Sequence, residues 1–338
     1  MLPAIHIAGI HVPMYSLMVF LGIVAFFVTY FLYVEKGEKL DRTTSNRLLF
    51  VSILGIAFLG FSAMFFNSLF HTIEAGEIRI GGITWLGGVL GGVPFTVFLI
   101  HKLVPKAKGR ALYYFSLLVP GLVIGHAFGR LGCFCGGCCY GRVTDSIFGV
   151  IFPEGSLAAQ QYPGENGASL PVLPTQLFES VFEFVLFFVL VIFRKKLKPY
   201  NLLIYFFAYG VFRFSMEFLR GDDRGSTGFA LSPSQFICIL LLIAAVLILL
   251  FYRGILFKGL AQKCAVWQEQ AAAAVAVPVR SSRRNPIGEI EELHRLMKAG
   301  IISEEEFEEK KAELLKRIWA ANFLPFRQRN KTGAPRAL

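Results

Sequence analysis

Charge is scarce in this chain. Asp, Glu, Lys and Arg make up 17% of its residues, against 55% hydrophobic, and the mean hydropathy is +0.58. That composition excludes an ordinary water-soluble globular domain and predicts a membrane protein. A basic stripe interleaved with aromatics is missing, so nucleic acid is not expected as a partner. The net charge of +11 sits between apolar runs and in the tail, where membrane topology accounts for most of it. No basic residue precedes the first apolar run, and no small-residue cleavage site stands before Glu35 and Lys36. That run therefore reads as a retained span, not a cleaved signal peptide. There is no inverted repeat and no polar path to the cytoplasmic side, which argues against a transporter.

What the chain does have is seven runs of the length a bilayer demands, roughly 20 apolar residues each. They are Tyr15–Tyr33, Leu48–Phe70, Ile83–Leu103, Leu112–Gly129, Thr175–Phe193, Leu202–Phe218 and Pro233–Tyr252. Lys and Arg gather in loops one, three and five, as in Lys36, Lys39, Lys106, Lys108, Lys195 and Lys196, and again in the tail. Such residues favour the cytoplasm. The expected fold is therefore all-α and polytopic, with the N-terminus outside and the C-terminus inside. Residues 1–14 are expected to lie on the outer interface.

Residues 126–142 break the apolar pattern, reading His126-Ala-Phe-Gly-Arg-Leu-Gly-Cys-Phe-Cys-Gly-Gly-Cys-Cys-Tyr-Gly-Arg142. Charge inside a span marks a functional site by default, and glycine lets backbone approach a ligand. His126 and Arg130 are four apart and share a helix face. In span five Gln176, Glu179 and Glu183 share a face, and in span six so do Arg213, Glu217 and Arg220. Asp222, Asp223 and Arg224 follow where that helix leaves the membrane. These groups converge on the outer end, either as a network that fastens spans five and six or as a pocket for something polar. Tyr15 opens span one there, as an aromatic-belt residue or a substrate contact. Gly87 and Gly88 open span three, for close helix packing or substrate contact. Loop four, residues 142–173, is long enough to act as a lid or clamp.

Three blocks of this pattern resemble the prolipoprotein diacylglyceryl transferases. They are Gly129-Arg130-Leu-Gly132-x-Phe134 with Gly141-Arg142, Pro174-x-Gln176-Leu-Phe-Glu179, and Phe212-Arg213-x-x-x-Glu217-Phe-x-Arg220-x-Asp222. The resemblance spans roughly residues 10–252, and the third block is its most specific part. It implies a multi-pass enzyme of the bacterial cell membrane that moves a diacylglyceryl group from phosphatidylglycerol to a lipobox cysteine thiol, releasing glycerol phosphate. Arginines suit a phosphate leaving group, so Arg130 and Arg213 are expected in catalysis, with Arg220 binding substrate. Tyr15, Gly87, Gly88, Cys133, Gly141, Gln176, Glu179 and Glu217 are expected substrate contacts. No cofactor is expected and no metal ligand is assigned. The chain departs from the family pattern at three positions. Leu86 and Leu173 stand where the family has histidines, and Cys133 where it has asparagine. His126 is the candidate replacement base; the other reading is a histidine satisfied by a neighbouring helix.

Cys133, Cys135, Cys138 and Cys139 form C-x-C-x-x-C-C. Four thiols this close fit a disulfide, small packing residues, zinc or a reactive thiol. They raise a second functional class, a diverged relative using thiol, redox or metal chemistry; a third is a non-catalytic phospholipid-binding protein. After the membrane domain, residues 1–252, comes a basic flexible linker, residues 253–285. Residues 286–318 then show two apolar stripes at helical spacing, and Ser303-x-x-Glu306 is a capping box. This segment resembles the SHOCT module, a short C-terminal hairpin. So small a unit is expected to need a partner or self-association. Residues 319–338 are expected to be disordered.

Overall fold

The structure is a computed structural model describing residues 4–7, 10–222, 226–228, 230–256, 258–259, 262–268 and 286–323. The expectations on Asp223, Arg224, linker residues 271–285 and tail residues 324–338 lie outside the described residues. Among the described residues, seven helical runs are long and apolar enough to cross a bilayer: α1 Met14–Glu38, α2 Arg42–Ala75, α3 Trp85–Leu103, α4 Ala111–Cys135, α5 Thr175–Ile192, α6 Arg194–Leu219 and α7 Pro233–Tyr252. The chain is an all-α multi-pass membrane protein, and each of the seven apolar runs became one helix. Residues ahead of α1 pair as an antiparallel hairpin, β1 Ala4–Ile7 with β2 Ile10–Pro13.

Helix α4 is the axis of the bundle. Its apolar window is 72% buried, against 33% for α1, α2 and α7. It packs most extensively on α1 and α5. The contact with α1 depends on glycine: a Cβ on Gly22 would sit 2.8 Å from the Gly125 carbonyl oxygen, too near for any side chain. Gly88 is similar, since a Cβ there would lie 2.9 Å from the Leu59 carbonyl oxygen of α2. Pro94 and Pro120 sit inside α3 and α4 without ending them. Phe20, Phe61, Phe65, Val185, Phe188 and Phe207 are exposed on the bundle's outside, as a lipid-facing surface requires.

Buried polar groups also gather at the other end of the bundle. At the far end of α1, Glu38 accepts from Arg194 at 2.6 Å, Lys198 at 2.8 Å and Tyr113 at 2.8 Å. The fully buried Asn201 donates to Tyr33 Oη at 3.1 Å and to the Ser116 carbonyl at 3.0 Å. This knot ties α1, α4 and α6 together where loops one, three and five meet.

The C-terminal unit is a helical hairpin, α8 Pro286–Lys298 and α9 Glu304–Phe323. Its second helix runs past the expected boundary at 318. Ser303 and Glu306 exchange capping bonds of 3.0 and 2.9 Å. Leu293, Phe307 and Leu314 are buried against Ile290, Met297 and Ile302, so much of the stripe is covered within the hairpin itself.

A cationic cavity among the membrane helices

Three helix faces build the site. On α4, His126, Arg130 and Cys133 recur at helical spacing; α5 brings Gln176, Glu179 and Glu183; α6 brings Tyr205, Tyr209, Arg213 and Glu217. Glu179 is the hub. Its Oε1 accepts from Tyr209 Oη at 2.7 Å and from Arg130 Nη2 at 2.8 Å. His126 Nε2 stands 3.7 Å from the same oxygen and Arg213 Nε 4.0 Å. Arg213 also pairs with Glu217 at 2.6 Å and donates to Ser234 Oγ at 3.1 Å. All these side chains are buried, as charges in hydrocarbon must be if they are paired.

His126 is held on several sides. Its ring stacks on Trp85 at 4.1 Å and 6°, and meets Tyr209 edge-on at 5.4 Å. Nδ1 lies 3.0 Å from Glu183 Oε1. Nε2 has no hydrogen-bond partner among the described residues. Trp85 in turn donates to Tyr205 Oη at 2.8 Å, and Tyr205 stacks on Tyr209 at 5.3 Å.

A cavity of about 920 Å³ runs beside this network between α1, α2 and α4. Its deep part is apolar, walled by residues such as Phe26, Ile56, Leu59 and Leu122. The other end is polar: His126, Arg130, Arg213, Asp222 and three cysteines line it. Among the expected site residues, His126, Arg130, Arg213, Tyr15 and Cys133 line the cavity. Gly87, Gly88, Gly141, Gln176, Glu179, Glu217 and Arg220 do not contribute to its wall. Gly87 and Gly88 lie against Phe66 and Leu59 of α2. Gly141 bonds Leu173 at 2.8 Å and bridges to Arg220. Gln176, Glu179 and Glu217 hold the lining groups from behind.

Arg220 departs from its expected place. The helix ends at Leu219, and Arg220 continues in extended backbone. It therefore does not share the Arg213–Glu217 face. Its buried side chain instead grips Asp222 through two bonds of 2.7 Å. Burial raises the Asp222 carboxyl despite that partner. The Arg142 guanidinium caps the Phe218 carbonyl nearby.

Loop four folds over this end. Its own small core joins Tyr140, Phe152, Ala158 and Val172. Burial pushes the Tyr140 phenol up to about 12, so it stays protonated and donates to Gln161 Oε1 at 2.5 Å, with the Leu157 carbonyl a second acceptor 3.1 Å away. Cys133, Cys138 and Cys139 gather at the loop's root, their sulfurs within 4.8 Å of one another; Cys135 stands apart. All six cysteines are free thiols.

Trp85, Tyr205, Tyr209 and Ser234 belong to the site although no charge or motif marked them. The four-residue spacing of Tyr205, Tyr209 and Arg213 on α6 was the available signal for two of them.

Fold and site together define a class: a seven-span membrane protein with a lipid-sized cavity capped by buried arginines. The chain belongs to the prolipoprotein diacylglyceryl transferase family, whose model matches residues 3–251. It is 34% identical over 250 residues to phosphatidylglycerol–prolipoprotein diacylglyceryl transferase 2 of Clostridium perfringens, covering 72% of this chain and 91% of that protein. It is 31% identical to the transferase of Clostridium tetani, over 71% of this chain and 93% of that one. The Vibrio parahaemolyticus transferase is 30% identical, over 68% of this chain and 82% of its own length. The short C-terminal domain model, SHOCT, matches residues 289–315.

Proposed function

We propose that this protein transfers a diacylglyceryl group from phosphatidylglycerol to the lipobox cysteine of prolipoproteins in the bacterial cell membrane, its N-terminus outside and its C-terminus inside. The observation that carries the reading is the cavity itself, apolar at depth and arginine-capped at one end. Acyl chains fit the first part and a phosphodiester the second.

The roles follow from the contacts. Arg130 and Arg213 meet the phosphate with guanidinium donors not used on Glu179; Arg130 Nε, for one, has no partner among the described residues. A planar fork suits phosphate oxygens and steadies the charge that grows on the leaving group. Glu179 and Tyr209 fix Arg130 in place. The substrate thiol must lose its proton to attack. His126 Nε2 is the acceptor in reach of the cavity, and Glu183 orients the ring from behind. Sulfur then bonds to the glyceryl carbon bearing the phosphate ester. That carbon–oxygen bond breaks, and glycerol phosphate leaves with the proton that the thiol lost.

The test uses purified protein in vesicles and a fluorescent lipobox peptide. Phosphatidylglycerol should give the diacylglyceryl thioether by mass, and phosphatidylethanolamine should not. Arg130→Ala should lower the rate at least a hundredfold. Phospholipid bound without product would replace the transferase reading with a lipid-binding one.

A further inference from the structure

The turn after α4 contains a feature that the lipid chemistry leaves unused. Cys133 ends a helix face shared with Arg130 and His126. The chain then turns back through Gly137 at φ +66° and Cys139 at φ +64°. Gly137 tolerates that conformation, whereas Cys139 is a rare non-glycine residue in it. Adjacent residues in extended backbone point their side chains to opposite faces. The left-handed turn at Cys139 removes that opposition, and Cys138 and Cys139 both reach Cys133.

The turn is braced from outside. Gln176 Nε2 donates to the Cys138 carbonyl at 2.7 Å, and Thr175 Oγ1 to the Cys139 carbonyl at 2.8 Å. The Cys138 amide bonds the Cys133 carbonyl at 3.2 Å. Strained backbone persists where its surroundings over-determine it, and such places are commonly functional. Here the bracing holds three sulfurs within 4.8 Å of one another, on the wall of the substrate cavity.

We infer that Cys133, Cys138 and Cys139 bind one zinc-class ion as thiolates, and that its open fourth position receives the substrate's thiol. This rests on the transferase reading above. Zinc–sulfur bonds of about 2.3 Å place tetrahedral sulfurs about 3.8 Å apart, so the cluster needs only a small contraction. Three protein ligands and one free position are the pattern of reactive zinc, whereas a closed structural site uses four. Soft thiolates select zinc or copper(I) over hard cations. A thiol that binds such an ion does so as thiolate, its proton passing to His126 Nε2 as the metal–sulfur bond forms. Four thiolates around a divalent ion leave two negative charges. Arg130, on the same cavity wall, offsets part of them.

The experiment uses the full-length protein in detergent, loaded with zinc or cobalt(II). Elemental analysis should find about one zinc per chain. Cys133→Ser, Cys138→Ser and Cys139→Ser should each lower zinc content at least tenfold, and Cys135→Ser should not. Cobalt(II) should give an intense sulfur-to-metal charge-transfer band. That band should shift on adding a lipobox peptide but not its Cys→Ser analogue. Monodisperse serine variants that keep their zinc would overturn the inference. So would a purified chain without zinc whose mass is two hydrogens short, which marks a disulfide. Full transfer by metal-free protein sinks the inference and leaves the transferase. A metal site that shifts with peptide, in a protein making no product from phosphatidylglycerol, keeps the inference's ligand set and sinks the transferase.

Discussion

Glu179 gathers two guanidinium groups on one oxygen, which leaves donors on them for a ligand. Arg130 and Arg213 both lie within 4.0 Å of its Oε1, and Arg130 Nε has no partner among the described residues, so it is available to a phosphodiester. Removing the hub should cost twice. Glu179→Gln keeps the shape but strands the buried Arg130 guanidinium, while Arg213 keeps Glu217, a loss of about 3–5 kcal/mol for a buried pair broken on one side. A lower unfolding temperature in detergent, together with at least a hundredfold loss of transfer in the folded fraction, is the expected result. Wild-type stability in the variant would mean the arginines are paired elsewhere. His126 is separable from this. His126→Ala should lower transfer at least a hundredfold and leave phosphatidylglycerol affinity within a few-fold, because its proposed partner is the thiol. Unchanged transfer would remove it as the base. At this scale the sequence was informative where a charge stood in an apolar run, as at Arg130 and Glu179. It was silent on Trp85 and Tyr209, because an aromatic residue in a membrane helix reads the same whether it faces lipid or a histidine ring.

Among elements, the seven spans and the faces of α5 and α6 were legible because helical periodicity is a local property. The exception, Arg220, shows the limit. A face argument holds only while the helix lasts, and this one ends at Leu219. The turn that gathers the cysteines was equally hidden, since it depends on side chains of α5 closing on carbonyls far away in sequence. Helix contact makes its own prediction. At Gly22 any Cβ meets the Gly125 carbonyl oxygen at 2.8 Å, while at Gly60 one meets nothing within 4 Å. Gly22→Val should therefore push α1 from α4 and destabilise by about 1–3 kcal/mol. Gly60→Ala should be neutral or gain up to about 1 kcal/mol from helix propensity. Thermal unfolding of the two variants side by side checks both. Equal melting temperatures would show that α1 and α4 are not packed this way.

At the scale of the whole molecule, the distribution of Lys and Arg carries the orientation. A headgroup cavity is useful to a lipoprotein-modifying enzyme only on the side where its protein substrate emerges. The same end of the bundle bears loop four and the cysteine turn; the other bears the Glu38 knot with Arg194 and Lys198. Orientation from positive loops predicts that an alkaline phosphatase reporter, active only outside, is active when inserted at Ile147 and inactive when placed after Lys196. The reverse pattern would put the arginines on the cytoplasmic side and end the proposed function with them. The C-terminal hairpin is a unit of its own. Its mutual core is small, three buried side chains with three partly buried neighbours, and Leu315 remains 46% exposed. A unit of this size gains stability by association. Deleting residues 286–338 should leave transfer in vesicles unchanged and lower the number of chains per detergent-solubilised particle by light scattering. An unchanged number would mean that the hairpin does not self-associate and that its remaining apolar edge is kept for another protein.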